Sequence, residues 1–140
     1  MEDLIIYTDG AYSPLRDQGG IGLVFVKDGK KIAQYSNVYP HTSNNQMEIG
    51  AVIVALKSIK DKKLSKVVIK TDSQYVIGCA SLGWKRRKNP KLWAQYDSIA
   101  TSLSNSGTKL IFEWVKGHDG DPYNELADTL ARDASQVILD

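Results

Sequence analysis

Apolar and polar positions along this chain follow two different periods, one typical of strands and one typical of helices. Short apolar runs bounded by glycine, proline or polar residues predict five strands, at 4–8, 20–27, 31–38, 66–71 and 109–116. Asp28 and Gly29 lie between the second and third of these runs and form a two-residue hairpin signal. The first three strands are therefore predicted to pair antiparallel.

Four longer segments repeat apolar residues at helical spacing. Ser43 or one of the asparagines after it caps the first predicted helix, and Asp121 with Pro122 begins the last. The predicted helices cover about 43–60, 73–82, 91–104 and 122–137. The resulting order, β-β-β-α-β-α-α-β-α, predicts an α/β protein with a mixed sheet, and the length predicts a single domain over residues 1–140.

Composition narrows the class of protein. Hydrophobic residues make up 42% of the chain and charged residues 24%, as in ordinary globular proteins. One cysteine excludes an internal disulfide framework and a cysteine-based zinc site. The chain shows neither a signal-type segment nor a stretch of membrane-spanning length, so we expect an intracellular, cytoplasmic protein without membrane partners. Nothing in the sequence indicates an obligate protein partner or more than a monomer.

Four carboxylates interrupt apolar patterns. Asp9 and Asp72 each follow a threonine at the end of an apolar run. If these two strands are parallel neighbours, both aspartates emerge at the same edge of the sheet, where α/β proteins hold their ligands. Alternatively, each aspartate only begins a turn.

Glu48 and Asp128 lie on predicted helices. Positions three, four, seven and eight residues after Glu48 are apolar, so its carboxylate shares the core-facing side and must be protonated, paired or metal-bound. A capping box from Asn45 is the alternative. Asp128 borders the apolar stripe of the last helix, where a solvated acid is equally consistent with the spacing. Clustered carboxylates need cations, which indicates divalent metals and phosphate chemistry.

Four segments carry a family resemblance, at 7–11, 42–48, 71–76 and 115–128. Their residues, order and approximate spacing resemble the type 1 ribonuclease H family over almost the whole chain. The resemblance implies a ribonuclease H-like fold, with a five-stranded mixed sheet flanked by helices. It also implies an endonuclease that hydrolyses the RNA strand of RNA–DNA hybrids with two Mg²⁺ ions, or Mn²⁺ as substitute, leaving 5′-phosphate and 3′-hydroxyl ends.

The same resemblance assigns roles to individual residues. Asp9, Glu48, Asp72 and Asp128 would be the catalytic metal ligands, with Asp9 bridging both ions. His118, between glycine-containing loop segments, would assist proton transfer or product release. An imidazole that titrates near neutrality suits that role, although a loop histidine can also be merely exposed.

Polar residues beside the acids are expected to recognise substrate. A nuclease confined to RNA must sense the 2′-hydroxyl, which donates and accepts hydrogen bonds as amides do. The resemblance assigns this to Asn44, Asn45 and Gln74, and assigns to Ser43 a phosphate contact on the DNA strand. The alternative is that these residues only cap helices or lie exposed.

Positive charge is concentrated although the net charge is only +2. Residues 83–91 hold five cations and no acid, and we expect Trp84, Lys85 and Arg86 to contact the hybrid. Compared with fuller members of the family this segment is short, so binding should be weaker and more salt-sensitive. A solvated face is the alternative. A second basic group surrounds the end of the first helix and comprises Lys57, Lys60, Lys62, Lys63 and Lys66.

Two other functions remain open from the sequence. One is another metal-dependent phosphoryl transferase of the same fold, such as an integrase- or resolvase-like nuclease. The asparagine pair and the Gly117-His118 segment argue against it. The other is a non-catalytic hybrid-binding module, against which the presence of all four acids argues.

Overall fold

The computed structural model describes residues 3–117 and 120–139. The helices and strands occur in the predicted order: β1 (Asp3–Ser13), β2 (Gln18–Lys27), β3 (Lys30–Pro40), α1 (Asn44–Ile59), β4 (Lys66–Thr71), α2 (Gln74–Ser81), α3 (Pro90–Asn105), β5 (Lys109–Trp114) and α4 (Pro122–Ser135). In these described residues no helix is long and apolar enough to cross a membrane.

The five strands form one mixed sheet in the order β3-β2-β1-β4-β5. The pairs β1–β2 and β2–β3 are antiparallel, whereas β1–β4 and β4–β5 are parallel. The predicted mixed sheet with three antiparallel strands is therefore confirmed. The strand β1 lies at its centre, because the crossover through α1 returns the chain to the far side of β1.

Helices cover both faces of the sheet. On one face α1 lies between the strands and α3, so the large side chains of Ile49 and Leu56 are fully buried. Burying each such side chain stabilises the fold by about 1.5–3 kcal/mol. On the other face α4 packs on Tyr7 and Val24. A carboxylate on the sheet-facing side of either helix is thus held against a well-packed sheet.

The first strand differs from its prediction. We expected it to end at residue 8, directly before Asp9, but β1 extends to Ser13 because its second half pairs with β2 as far as Gln18. Asp9 therefore lies inside a central strand. The strand β5 is shorter than predicted and ends at Trp114.

Candidate active site

Three carboxylates from three different elements meet beyond the end of β4. One oxygen each from Asp9, Glu48 and Asp72 lies within 4.8 Å of the other two. Asp9 and Glu48 are only 4% and 8% exposed, and Asp72 is half-buried. Carboxylate oxygens at these separations form a set of ligands for a hard divalent cation.

The parallel pairing of β1 and β4 brings the two aspartates together. Tyr7 pairs with Lys70, and continuing the same register by two residues places Asp9 level with Asp72, which directly follows β4. The chain turns away after Asp72, where Thr71 Oγ1 accepts a hydrogen bond of 3.0 Å from the Ser73 amide. The expected shared edge is therefore confirmed, with Asp9 held more rigidly than a turn residue would be.

Glu48 joins the aspartates through a close contact between α1 and β1. Its Oε1 accepts a hydrogen bond of 2.6 Å from the Gly10 amide. A Cβ on Gly10 would collide with the backbone of Met47, so only glycine allows this approach. Ser43 caps α1 by accepting from the Gln46 amide, so the alternative capping box between Asn45 and Glu48 is not the one that begins the helix.

Asp128 reaches the cluster because α4 packs unusually close to β2. Gly22 pairs with Asp9, and a Cβ on Gly22 would collide with the carbonyl oxygen of Ala127, the residue before Asp128. The Asp128 carboxylate lies within hydrogen-bonding reach of Asp9. Its Oδ2 also forms an ion pair of 3.1 Å with Arg132, so Asp128 lies at the margin of the other three acids.

The buried acids strongly favour their protonated forms when no cation is present. Burial raises the pKa of Asp9 well above its ordinary value, and the charges of Glu48 and Asp72 raise it further. Burial and the charge of Asp72 also raise the pKa of Glu48, although the Gly10 amide opposes this. A divalent cation would remove this penalty, so the donor set fits a metal ion.

The predicted substrate residues border the acids on two sides. Asn44 and Asn45 occupy the exposed first turn of α1, directly after the cap Ser43, and Gln74 begins α2 two residues after Asp72. Their amides are therefore carried by the same elements as Glu48 and Asp72.

A groove of about 360 Å³ extends from this edge to the basic segment. It is lined by Asn45, Tyr75, Cys79, Trp84, Lys85, Arg87 and Lys88. The Trp84 indole lies against Gly78, where a Cβ would collide with the ring, and remains 50% exposed. Of the two cations predicted to contact the hybrid, Lys85 lines this groove and Arg86 does not. Arg87 and Lys88 also line it, although the sequence did not single them out. The spacing of cations in a non-helical segment does not indicate which of them share a face.

Arg86 has different surroundings from its neighbours. Its Nη1 lies 2.6 Å from Asp97 Oδ2, and its Nε donates a hydrogen bond of 3.0 Å to the Cys79 carbonyl. The guanidinium also stacks over the Trp93 ring at 4.6 Å. Arg86 thus links the basic segment to α2 and α3.

His118 lies outside the residues that the structure describes. The adjoining Gly117 is close to the cluster, because a Cβ there would lie 3.1 Å from Asp72 Oδ2. Trp114 was not singled out from the sequence, although its Nε1 donates to the Asp72 carbonyl at 3.4 Å. Nothing in the local sequence pattern of β5 indicates that contact.

A carboxylate cluster at the edge of such a sheet is typical of α/β proteins that hold metal ions there. Comparison with known proteins identifies the family. Residues 1–136 match the sequence profile described as RNase H. The Ribonuclease H of Thiobacillus denitrificans is 39% identical over an alignment of 141 positions that covers 91% of this chain and 90% of that protein.

Solved structures agree with the sequence comparison. The RNase H1 of the archaeon Halobacterium salinarum has a TM-score of 0.78 and 26% identity, covering 94% of this chain and 96% of its own. LC11-RNase H1, isolated from compost and solved in complex with an RNA/DNA hybrid, has a TM-score of 0.75, 26% identity and coverage of 94% and 98%. The chain belongs to the ribonuclease H family, and is accordingly a hydrolase.

Proposed function

We propose that this chain is a single catalytic domain that hydrolyses the RNA strand of RNA–DNA hybrids with two Mg²⁺ ions, or Mn²⁺ as substitute. The products would carry 5′-phosphate and 3′-hydroxyl ends. The observation that carries this proposal is the convergence of Asp9, Glu48 and Asp72 on one point, with Asp128 beside Asp9. A further expectation is that the protein acts as a monomer.

Three of the four proposed metal ligands are held in place by different features of the fold. Glu48 is fixed by the Gly10 amide, Asp9 by a central strand, and Asp128 by the contact of α4 with β2. When bound, the ions would supply an activated water and stabilise the leaving oxygen. The protein's own contribution is to hold these carboxylates aligned, while burial excludes competing water; a bound cation would favour their ionised forms.

The surroundings of the cluster support an RNA–DNA hybrid as substrate. Asn44, Asn45 and Gln74 carry amides that can both donate to and accept from a 2′-hydroxyl. Their exposure beside the acids supports this role. The structural neighbour LC11-RNase H1 was solved in complex with an RNA/DNA hybrid, which also supports this substrate. Ser43 is proposed to hold a phosphate of the DNA strand.

The basic groove is proposed to bind the hybrid beyond the cleavage point. Trp84 presents a half-exposed ring for sugar or base contacts, and Lys85 lines the groove with further cations for phosphates. Arg86 contributes to substrate binding by holding this segment against Asp97 and Trp93.

One assay tests the proposal directly. Matched RNA–DNA, RNA–RNA and DNA–DNA duplexes are incubated with Mg²⁺ or with chelator, alongside the Asp9→Asn variant. We expect cleavage only of the RNA strand in the hybrid, only with the metal and only with Asp9. Cleavage of DNA–DNA, or cleavage that persists in chelator, would overturn the proposal, and binding without cleavage would support a non-catalytic module.

His118 is proposed to assist proton transfer or product release. We therefore expect His118→Ala to slow cleavage by about 10–100-fold without abolishing it, and to change the dependence of kcat on pH. Steady-state kinetics between pH 6 and pH 9 measure both effects. Parent-like kinetics across this range would show that the imidazole takes no part.

A further inference from the structure

A second groove lies at the opposite end of the sheet from the carboxylates. It encloses about 420 Å³ between the C-terminal end of α1 and the adjoining ends of the three antiparallel strands. Leu4, Phe25, Ala33 and Leu64 line it, and the Ile32 side chain at its border is 58% exposed. An aliphatic side chain this exposed on an edge strand next to an apolar groove marks a candidate interaction surface.

Lysines surround this apolar groove. Lys27 and Lys62 line it directly. The two segments that contribute them, 27–31 and 57–66, contain eight lysines and only two acids, Asp28 and Asp61. The whole chain has a net charge of +2, so positive charge is concentrated at this end while the rest of the chain is net negative. None of these lysines belongs to the carboxylate cluster or lines the groove beside it.

The chemistry of the groove distinguishes between two kinds of partner. A nucleic acid would need exposed rings for stacking and cations aligned with phosphates. The aromatic lining residue here, Phe25, packs against the core, and the other apolar lining residues are aliphatic. An apolar centre with a cationic border is instead complementary to a peptide that carries both apolar and acidic side chains.

We propose that this groove docks an acidic segment of a partner protein. The apolar side chains of that segment would lie between β3 and α1, and its carboxylates would lie on the surrounding lysines. Leu4 is five residues from Asp9 along β1, and Ser58 is ten residues from Glu48 along α1. These separations correspond to about 15 Å or more, so a docked segment leaves the carboxylate cluster open.

The probe for this proposal is a fluorescein-labelled peptide of sequence Glu-Glu-Leu-Glu-Phe-Leu-Glu-Glu. Fluorescence anisotropy with the full chain should show saturable binding, weakened at least about tenfold by Ile32→Glu or by Lys62→Glu. Leu15→Glu and Arg16→Glu make the same chemical changes in the β1–β2 turn, where Leu15 is 93% exposed, and should leave the affinity unchanged.

Three results would overturn the proposal. In the first, Ile32→Glu and Lys62→Glu bind the peptide as the parent does. In the second, a peptide with serine in place of leucine and phenylalanine binds equally well, which would show charge attraction without apolar recognition. In the third, a single-stranded oligonucleotide displaces the peptide and its own binding is equally sensitive to Ile32→Glu, which would indicate a nucleic-acid surface.

Hybrid cleavage in the same variants separates this inference from the proposed function. Ile32 and Lys62 are exposed and distant from the acids, so both variants should retain the parent's thermal unfolding and cleavage rate. Lost peptide binding with retained cleavage supports the docking groove. Cleavage lost together with peptide binding would overturn the separation of the two sites.

Discussion

The carboxylate cluster and the basic groove lie next to each other, but they are built in opposite ways. The cluster takes one acid from each of β1, α1 and α4 and one from the turn after β4, and buries like charges together. The groove takes its cations from one short exposed segment, in which Lys85, Arg87 and Lys88 line it. The cluster therefore depends on tertiary packing and would be stabilised by a bound cation. The groove depends on its exposed positive charge and on Arg86, which anchors the segment.

This difference has energetic consequences. Repulsion within the cluster costs stability and would be relieved by a metal ion, so the proposed site requires accurately placed acids. Exposed cations in the groove are screened by salt, and each would contribute a modest, nearly interchangeable share of the proposed substrate binding. Substitutions in the two regions should thus differ in size and in kind.

The largest expected effect comes from Glu48→Gln. Glutamine retains the shape of glutamate and an oxygen that can accept from the Gly10 amide, so the fold should remain intact. Loss of the charge should lower kcat by more than about a thousandfold. Cleavage assays and calorimetry measure the two properties, and Glu125→Gln, an exposed change on α4, is the control. A full rate in Glu48→Gln would remove this residue from the site.

Next in size is Gly22→Ala, which tests whether packing positions Asp128. The added Cβ collides with the Ala127 carbonyl oxygen and should move α4 away from β2. We expect a loss of about 1–3 kcal/mol in the free energy of unfolding, with at least about tenfold lower activity and weaker Mn²⁺ binding by titration calorimetry.

Gly20→Ala is the matched control for that change. Its Cβ would collide with α4 at Ala131, almost one turn beyond Asp128, so stability should fall similarly while metal affinity changes less. Equal losses of metal affinity in the two variants would show that overall destabilisation, not the placement of Asp128, is responsible.

A smaller effect separates the two kinds of cation in the basic segment. Lys85→Ala should raise KM several-fold and reduce the slope of log KM against log salt by about 1, as expected for one lost phosphate contact. Arg86→Ala should also raise KM, because the segment loses its link to Asp97 and Trp93, but with little change in the salt slope.

Arg86→Lys sharpens this test, because lysine keeps the charge but loses the planar stacking over Trp93. We expect it to behave as Arg86→Ala does. If Arg86→Ala instead lowers the salt slope as Lys85→Ala does, Arg86 contacts phosphate directly.

The smallest effect concerns stability against pH in chelator. Burial raises the pKa values of Asp9 and Glu48 in the folded state above their ordinary values of 3.8 and 4.5. The folded protein therefore holds more protons than the unfolded chain above about pH 4, so stability should fall as pH rises from there through the raised values.

Thermal unfolding between pH 5 and pH 9 measures this slope. Added Mn²⁺ should flatten it, and so should Asp9→Asn in chelator, because either removes repulsion among the acids. A flat profile for the parent in chelator would show that the carboxylates are not under this strain.

Much of the fold follows from local signals. The hairpin residues Asp28 and Gly29, the cap Ser43 and the pair Asp121-Pro122 each occur where the structure turns or begins a helix. The end of β1 was predicted wrongly, because Gly10 to Ser13 have a polar and glycine-containing sequence that only pairing with β2 makes extended. Local pattern contains no information about that partner.

By itself, the sequence determined which residues are candidates for the chemistry: the Thr-Asp endings, an acid on an apolar helix face, and the family motifs around them. Only the tertiary structure decided how they meet. Glycines at positions 10 and 22 let α1 and α4 approach the sheet closely enough to bring Glu48 and Asp128 to Asp9. The tertiary structure also separated Arg86, which stacks on Trp93, from the neighbouring cations that line the groove. The physical reason is that close packing and burial are set by residues distant in sequence, whereas residue type and period are local.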